Sequence, residues 1–81
     1  MEREYKIFEY IVERVEQIDS ELEKTGEEIG NSQTVNQTIS LKIKAGELLS
    51  SREELGGVLK QMNRPVKPLP TIKYITNEER G

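Results

Sequence analysis

The first 30 residues carry apolar side chains at alternating steps of three and four positions, and this spacing constrains the fold more than any other feature. An α-helix places such positions on one face, and a sustained seven-residue repeat is typical of helices that pack side by side. The repeat consists of Phe8, Ile11, Val15, Ile18, Leu22, Thr25 and Ile29. It predicts a long helix over residues 3–29 that packs along this seam.

The apolar stripe is wider near its start, where Tyr5, Ile7 and Val12 flank the seam. A seam between two helices needs only a narrow stripe, whereas a bundle of three or more helices uses a wider one. We therefore expect the chain to self-associate into a small bundle.

A break follows the first helix at Gly30, Asn31 and Ser32. Glycine readily adopts the left-handed conformation that ends a helix, and Asn or Ser can cap the next one. The glycines and acidic residues of 26–30 oppose helix formation and the helix dipole, so we expect this end to fray.

The second segment, residues 33–63, begins ambiguously. Over 34–45, β-branched residues alternate with polar ones as in a strand, but Val35, Ile39 and Ile43 would also share one face of a helix. We favour the helix and leave the strand open. From Leu41 onward a seven-residue repeat indicates a helix, and its positions are Leu41, Ala45, Leu48, Arg52, Leu55, Leu59 and Met62. Pro65 ends it, because the residue before a proline avoids the helical region.

Arg52 occupies a seam position in this second helix. A charged residue in a seam can fix the register or the choice of partner. We expect it to bind a carboxylate of the acidic first helix; the alternative is that its guanidinium reaches solvent at the edge of the seam.

Residues 64–81 form a tail of different composition. Three prolines between residues 65 and 70 favour an extended polyproline conformation, and the sequence of 71–76 predicts a short strand. Residues 77–81 should fray. The tail is too apolar for a disordered terminus, so we predict that it binds a partner through Leu69, Ile72, Tyr74 and Ile75. We expect Ile72 and Tyr74 to be buried against another chain; the alternative is a tail packed on its own hairpin.

Only 33% of the residues are hydrophobic, against about 45–50% in an average domain. With one Phe, three Tyr and no Trp, the chain can bury little apolar surface by itself. We therefore infer an all-α helical hairpin over residues 1–63 that forms a coiled-coil-like oligomer. The predicted oligomer interface consists of Phe8, Ile11, Val15, Ile18, Leu22, Leu48, Leu55 and Leu59.

The chain contains no Cys and no His. Disulfides, thiolate metal sites and catalytic groups based on imidazole or thiol are therefore excluded. The run of acidic residues over 13–23 points in several directions on a helix, which indicates a solvated face rather than a metal site. We expect no enzyme activity, no cofactor and no bound metal. The mixed-charge start and short apolar runs predict no signal peptide, no membrane segment and a cytoplasmic location.

Acidic and basic residues are distributed unequally along the chain. Residues 1–30 hold ten acidic and four basic residues, for a net charge of −6, while residues 31–81 hold eight basic and five acidic ones, for +3. Lys42, Lys60 and Arg64 fall within about 40° of one another on the predicted helix and could contact phosphates. Glu53 lies in the same stripe, however, and the whole chain is acidic.

The sequence therefore predicts a non-catalytic protein–protein interaction protein: a small adaptor, inhibitor or assembly factor that acts as a homo-oligomer with a protein partner. The alternative is a small regulatory protein that binds nucleic acid or a phosphorylated small molecule between protomers.

Overall fold

A computed structural model describes residues 2–76, with side chains from residue 6 onward. Helix α1 spans Glu2–Asn31 and helix α2 spans Val35–Gln61. The two helices pack antiparallel as a hairpin, and the remaining residues, 62–76, run back along it. The all-α hairpin predicted from the seven-residue repeat is confirmed. Helix α2 begins at Val35, so the ambiguity over 34–45 is resolved in favour of the helix. The predicted fraying of 77–81 and the side chain of Tyr5 lie outside the described residues.

The seam predicted for α1 is buried. Ile18 and Leu22 have no exposed surface, and Ile11, Val15 and Ile29 are buried with them. Thr25 is also buried, and its hydroxyl donates to the carbonyl of Glu21 at 2.7 Å, which satisfies the polar group inside the helix. Phe8 is half-buried at the open end of the hairpin.

The N-terminus of helix α2 is capped by Thr34, not by Asn31 or Ser32 as the sequence suggested. The Thr34 side chain accepts from the backbone N–H of Gln37 at 3.1 Å. In return, the Gln37 side chain accepts from the backbone N–H of Gln33 at 2.9 Å. The first bond satisfies a donor that the first turn of α2 leaves without a helical partner, and the second satisfies the backbone donor of the residue that precedes the N-cap. Gly30 lies inside α1 and does not supply the turn.

The end of α2 closes with a left-handed residue, Asn63, at φ 58°. The N–H of Arg64 donates to the carbonyl of Leu59 at 2.9 Å, and the N–H of Asn63 donates to that of Lys60 at 3.0 Å. This pair of bonds is the Schellman motif, and asparagine tolerates its left-handed position better than most residues. Helix α2 ends at Gln61, two residues before the predicted end at residue 63, and Pro65 follows this capping motif.

The predicted strand at 71–76 is wrong, because residues 73–76 form a turn. The N–H groups of Ile75 and Thr76 both donate to the carbonyl of Ile72, at 3.0 and 2.9 Å. The Thr76 hydroxyl accepts from the N–H of Ile72 at 2.5 Å. A lone strand would leave its backbone groups without partners, whereas this turn satisfies them locally.

Candidate interaction site where the tail meets the hairpin

Arg52 joins three parts of the chain. Its Nε donates to Oδ1 of Asp19 at 2.5 Å and one terminal nitrogen donates to Oδ2 at 3.2 Å, which links α2 to α1. The same nitrogen donates to the carbonyls of Lys67 and Pro68 at 3.1 and 3.4 Å, which links α2 to the tail. The prediction that this seam arginine binds a carboxylate of the first helix is confirmed.

The rigid, planar guanidinium explains why arginine suits this position. Its five N–H donors form a fork that can serve a carboxylate and backbone carbonyls together, which the compact ammonium group of lysine cannot do. The side chains of Arg52 and Asp19 are only 9% and 14% exposed. Removing either residue would leave polar atoms of the other without a partner. Because Arg52 also donates to two carbonyls of the tail, the pair specifies the path of the tail.

Two glycines of α1 receive the end of the tail. A Cβ atom at Gly26 would lie 2.7 Å from the carbonyl oxygen of Lys73 and 3.0 Å from a methyl carbon of Ile72. A Cβ atom at Gly30 would lie 2.8 Å from the ring of Tyr74. The predicted fraying of this end is therefore not observed: α1 continues to Asn31, and its small residues admit the tail.

Ile72 anchors the tail in the hairpin core. It is 3% exposed and belongs to one buried cluster with Ile18, Leu22 and Ala45. The expectation that another chain buries Ile72 is therefore wrong, because its own hairpin already does. The prediction failed because the sequence does not reveal that Gly26 opens a space beside Ile72.

The other predicted tail residues are less covered. Ile75 packs partly buried against the same cluster, whereas Leu69 is 39% and Tyr74 is 48% exposed. Tyr74 has a positive φ of 70°, which is an unusual conformation for a bulky residue. Its ring lies against Gly30, and the Lys73 ammonium is 5.6 Å from the ring centroid.

The residues predicted to form an oligomer interface divide into two groups. Ile11, Val15, Ile18, Leu22 and Leu59 are buried within the single chain. Phe8, Leu48 and Leu55 are only half-buried. The seam therefore joins α1 to α2 of the same chain, and only the half-buried group retains surface for a second chain.

Besides Leu69 and Tyr74 of the tail, large apolar side chains of the described residues remain exposed in two places on the helices. Ile7, Tyr10 and Val58 lie near the open end of the hairpin and are 49%, 67% and 40% exposed. Val35, Ile39 and Ile43 follow one another at steps of four along the outer surface of α2 and are each more than half exposed.

The predicted phosphate contacts are not brought together. Lys42 and Lys60 are both exposed, but 18 positions of helix separate them by about 27 Å. The Arg64 guanidinium lies 4.6 Å from the centre of the Phe8 ring, where it makes a cation–π contact within the chain. The basic stripe is thus a set of separate charges along one face.

A shallow groove between α1 and the tail is lined by Glu23, Glu27, Thr71, Lys73 and Tyr74 together with the two glycines. No pair of these side chains is hydrogen-bonded as a nucleophile and its base would be. Among residues 6–76, no group of acidic residues is arranged to hold a metal ion. No helix in the described part of the chain is long and apolar enough to cross a membrane.

Neither a protein-family model, nor a curated protein, nor a solved structure is similar to this chain at a significant level.

Proposed function

We propose that this chain is a non-catalytic protein–protein interaction protein, a small adaptor, inhibitor or assembly factor that acts as a helical oligomer. One observation carries the proposal: large apolar side chains stay exposed although the chain has already buried its seam and docked its tail. Exposed Leu, Ile and Tyr side chains that cluster mark surfaces where proteins bind.

The tail is the proposed partner-binding element. Ile72 and the Arg52 pair hold it on the hairpin, and this leaves Leu69 and Tyr74 presented on the surface. A preorganised segment loses little conformational entropy on binding, so its few apolar side chains can contribute effectively to affinity. Tyrosine is also among the residues most enriched at the energetic centres of interfaces.

The test is affinity capture with the tagged full chain, after nuclease treatment, at about 0.1 and 0.5 M salt. We expect one protein to be retained at both salt concentrations, because burial of apolar surface is not weakened by salt. The purified partner should then bind the chain directly, and a Leu69→Asp, Tyr74→Asp variant should reduce that affinity by about tenfold or more.

The matched control is Val35→Asp, Ile39→Asp, which places the same two charges on exposed apolar residues away from the tail. It should bind the partner as the unmodified chain does. Loss of all captured protein after nuclease treatment, or at the higher salt, would contradict the proposal and favour the alternative of a nucleic-acid or phosphorylated ligand.

A further inference from the structure

The hairpin has two grooves along its helix pair, and the tail fills only one of them. The molecule measures 50 × 25 × 14 Å along its principal axes, so it is little thicker than one helix. Arg52 of α2 donates to the tail, Gly26 of α1 and Gly56 of α2 lie against it, and Asp19 of α1 lines a cleft beside it, so these residues mark the covered side. The opposite side has no covering element within the described chain.

We call this opposite side of the hairpin the tail-free face. The helical period identifies the side chains that lie on it. At about 100° per residue, they project from the flank of each helix that faces away from the tail. On α2 this flank carries half-buried residues at seven-residue spacing, which are Leu41, Leu48, Leu55 and Met62. Exposed apolar residues extend the face at the open end, and these are Ile7, Tyr10 and Val58. By the same period the flank of α1 beyond Tyr10 carries exposed polar residues, which are Arg14, Gln17 and Glu21, so the apolar part of this flank is confined to the open end.

We propose that a second copy of this chain docks on the tail-free face, through the same face of its own, to form a four-helix bundle. The inference rests on the proposed function, since it concerns the oligomer in which the chain acts. In the bundle, α1 of one protomer faces α2 of its partner, and the two-fold axis runs parallel to the helices. Every helix is then antiparallel to its neighbours, as in up-down-up-down bundles.

The direction of the axis follows from the register of the hairpin. Asp19 lies beside Arg52, and Arg64 lies over Phe8. Residue numbers therefore rise along α1 as they fall along α2, and residues at the same level have numbers that add up to about 72. Tyr10 is therefore level with Met62. An axis parallel to the helices places the open ends together and lets Ile7 and Tyr10 pack on the partner's Val58 and the partner's Met62.

Charge at the other end of the face supports the same arrangement. By this register Glu28 is level with Lys44, and both project from the tail-free flanks. Neither forms an ion pair with another described residue of its own chain. The bundle places Glu28 beside the partner's Lys44, twice by symmetry. An axis perpendicular to the helices would instead place these charges against the apolar open end, which disfavours it.

The experiment compares solution masses at about 1–100 μM protein. The unmodified chain should approach twice 9.3 kDa. Tyr10→Glu should weaken the dimer by about tenfold or more, whereas Ile39→Glu, which charges another apolar residue that is more than half exposed but lies on the outer face of α2, should not. Circular dichroism should show the same helix content for both variants, because both positions are exposed.

Orientation is tested by charge reversal and cross-linking. Glu28→Lys and Lys44→Glu should each weaken the dimer by about threefold, and combining them should restore it. Because the chain has no cysteine, a Glu28→Cys chain mixed with a Lys44→Cys chain reports only contacts between chains. A short bifunctional thiol reagent should link the mixed pair faster than either variant to itself.

The inference is overturned if the unmodified chain stays at 9.3 kDa, if Ile39→Glu disrupts assembly as strongly as Tyr10→Glu, or if identical chains cross-link faster than mixed ones. A monomer that still binds a purified protein partner would overturn this inference and the oligomeric part of the proposed function, and would leave only its protein-binding part standing. If the chain forms the dimer but binds no other protein, this inference stands and the proposed binding of a protein partner is contradicted.

Discussion

Arg52 and Asp19 form a two-point ion pair across the helix interface, and the same guanidinium binds two backbone carbonyls of the tail. One side chain thus fixes both the register of the hairpin and the path of the residues that follow it. The pair is largely shielded from solvent, so screening by water and salt weakens it less than an ordinary surface ion pair.

Replacing Arg52 should destabilise the hairpin and release the tail. Arg52→Met keeps the apolar stem but leaves the Asp19 carboxylate and two tail carbonyls without a donor, so we expect a loss of about 2 kcal/mol in the free energy of unfolding. Urea denaturation followed by circular dichroism measures this. Adding Asp19→Leu should recover most of the loss, because it removes the stranded charge. An Arg52→Met variant as stable as the unmodified chain would show that the pair does not support the fold.

Gly26→Ala should displace the tail. Alanine favours a helix by about 1 kcal/mol over glycine, but its methyl group would meet the Lys73 carbonyl oxygen at 2.7 Å. We expect a less stable protein in which the tail amides exchange faster with deuterium. Gly46→Ala is the matched control, because nothing lies within 4 Å of its added carbon, and it should raise stability by up to about 1 kcal/mol. Equal gains at both positions would mean that the tail does not dock at Gly26.

Ile72 should contribute to folding as a core residue. Truncating it to alanine opens a cavity beside Ile18 and Leu22, and we expect a loss of about 3 kcal/mol. Leu69→Ala removes a side chain that is 39% exposed and should lose less than about 1 kcal/mol. If thermal unfolding shows the two variants to be equally stable, Ile72 is not part of the intramolecular core.

Tyr74 should be strained at its positive φ of 70°. Comparing Tyr74→Gly with Tyr74→Ala removes the ring in both cases and isolates the backbone. The glycine variant should be more stable by about 1 kcal/mol, because only glycine adopts this conformation without steric conflict. A more stable alanine variant would imply that the turn changes conformation once the ring is absent.

The helices were predictable because their signal is repeated. Each apolar position of α1 from Ile11 to Ile29 supports the same face, and burial of that face outweighs local weak points such as the buried Thr25. The kind of partner that Arg52 binds was also predictable, since a charge in an apolar seam needs a partner and α1 is rich in carboxylates.

The tail and the turn were harder because contacts distant in sequence determine them. Residues 71–76 have the composition of a strand, but Ile72 finds its place beside Gly26, 46 positions earlier, and Thr76 satisfies the backbone locally. The useful signal was the spacing of Gly26 and Gly30, which places two small residues on one side of a helix. We interpreted them as a frayed end because glycine weakens a helix unless another segment needs the space.

If this chain acts as a helical oligomer, as we propose, its solution mass must exceed that of one chain, and the unmodified protein tests this most directly. Sedimentation equilibrium over about 1–100 μM should show a concentration-dependent rise from 9.3 kDa toward twice that mass. A constant mass of 9.3 kDa across the whole range, with the helical circular dichroism signal intact, would contradict the claim.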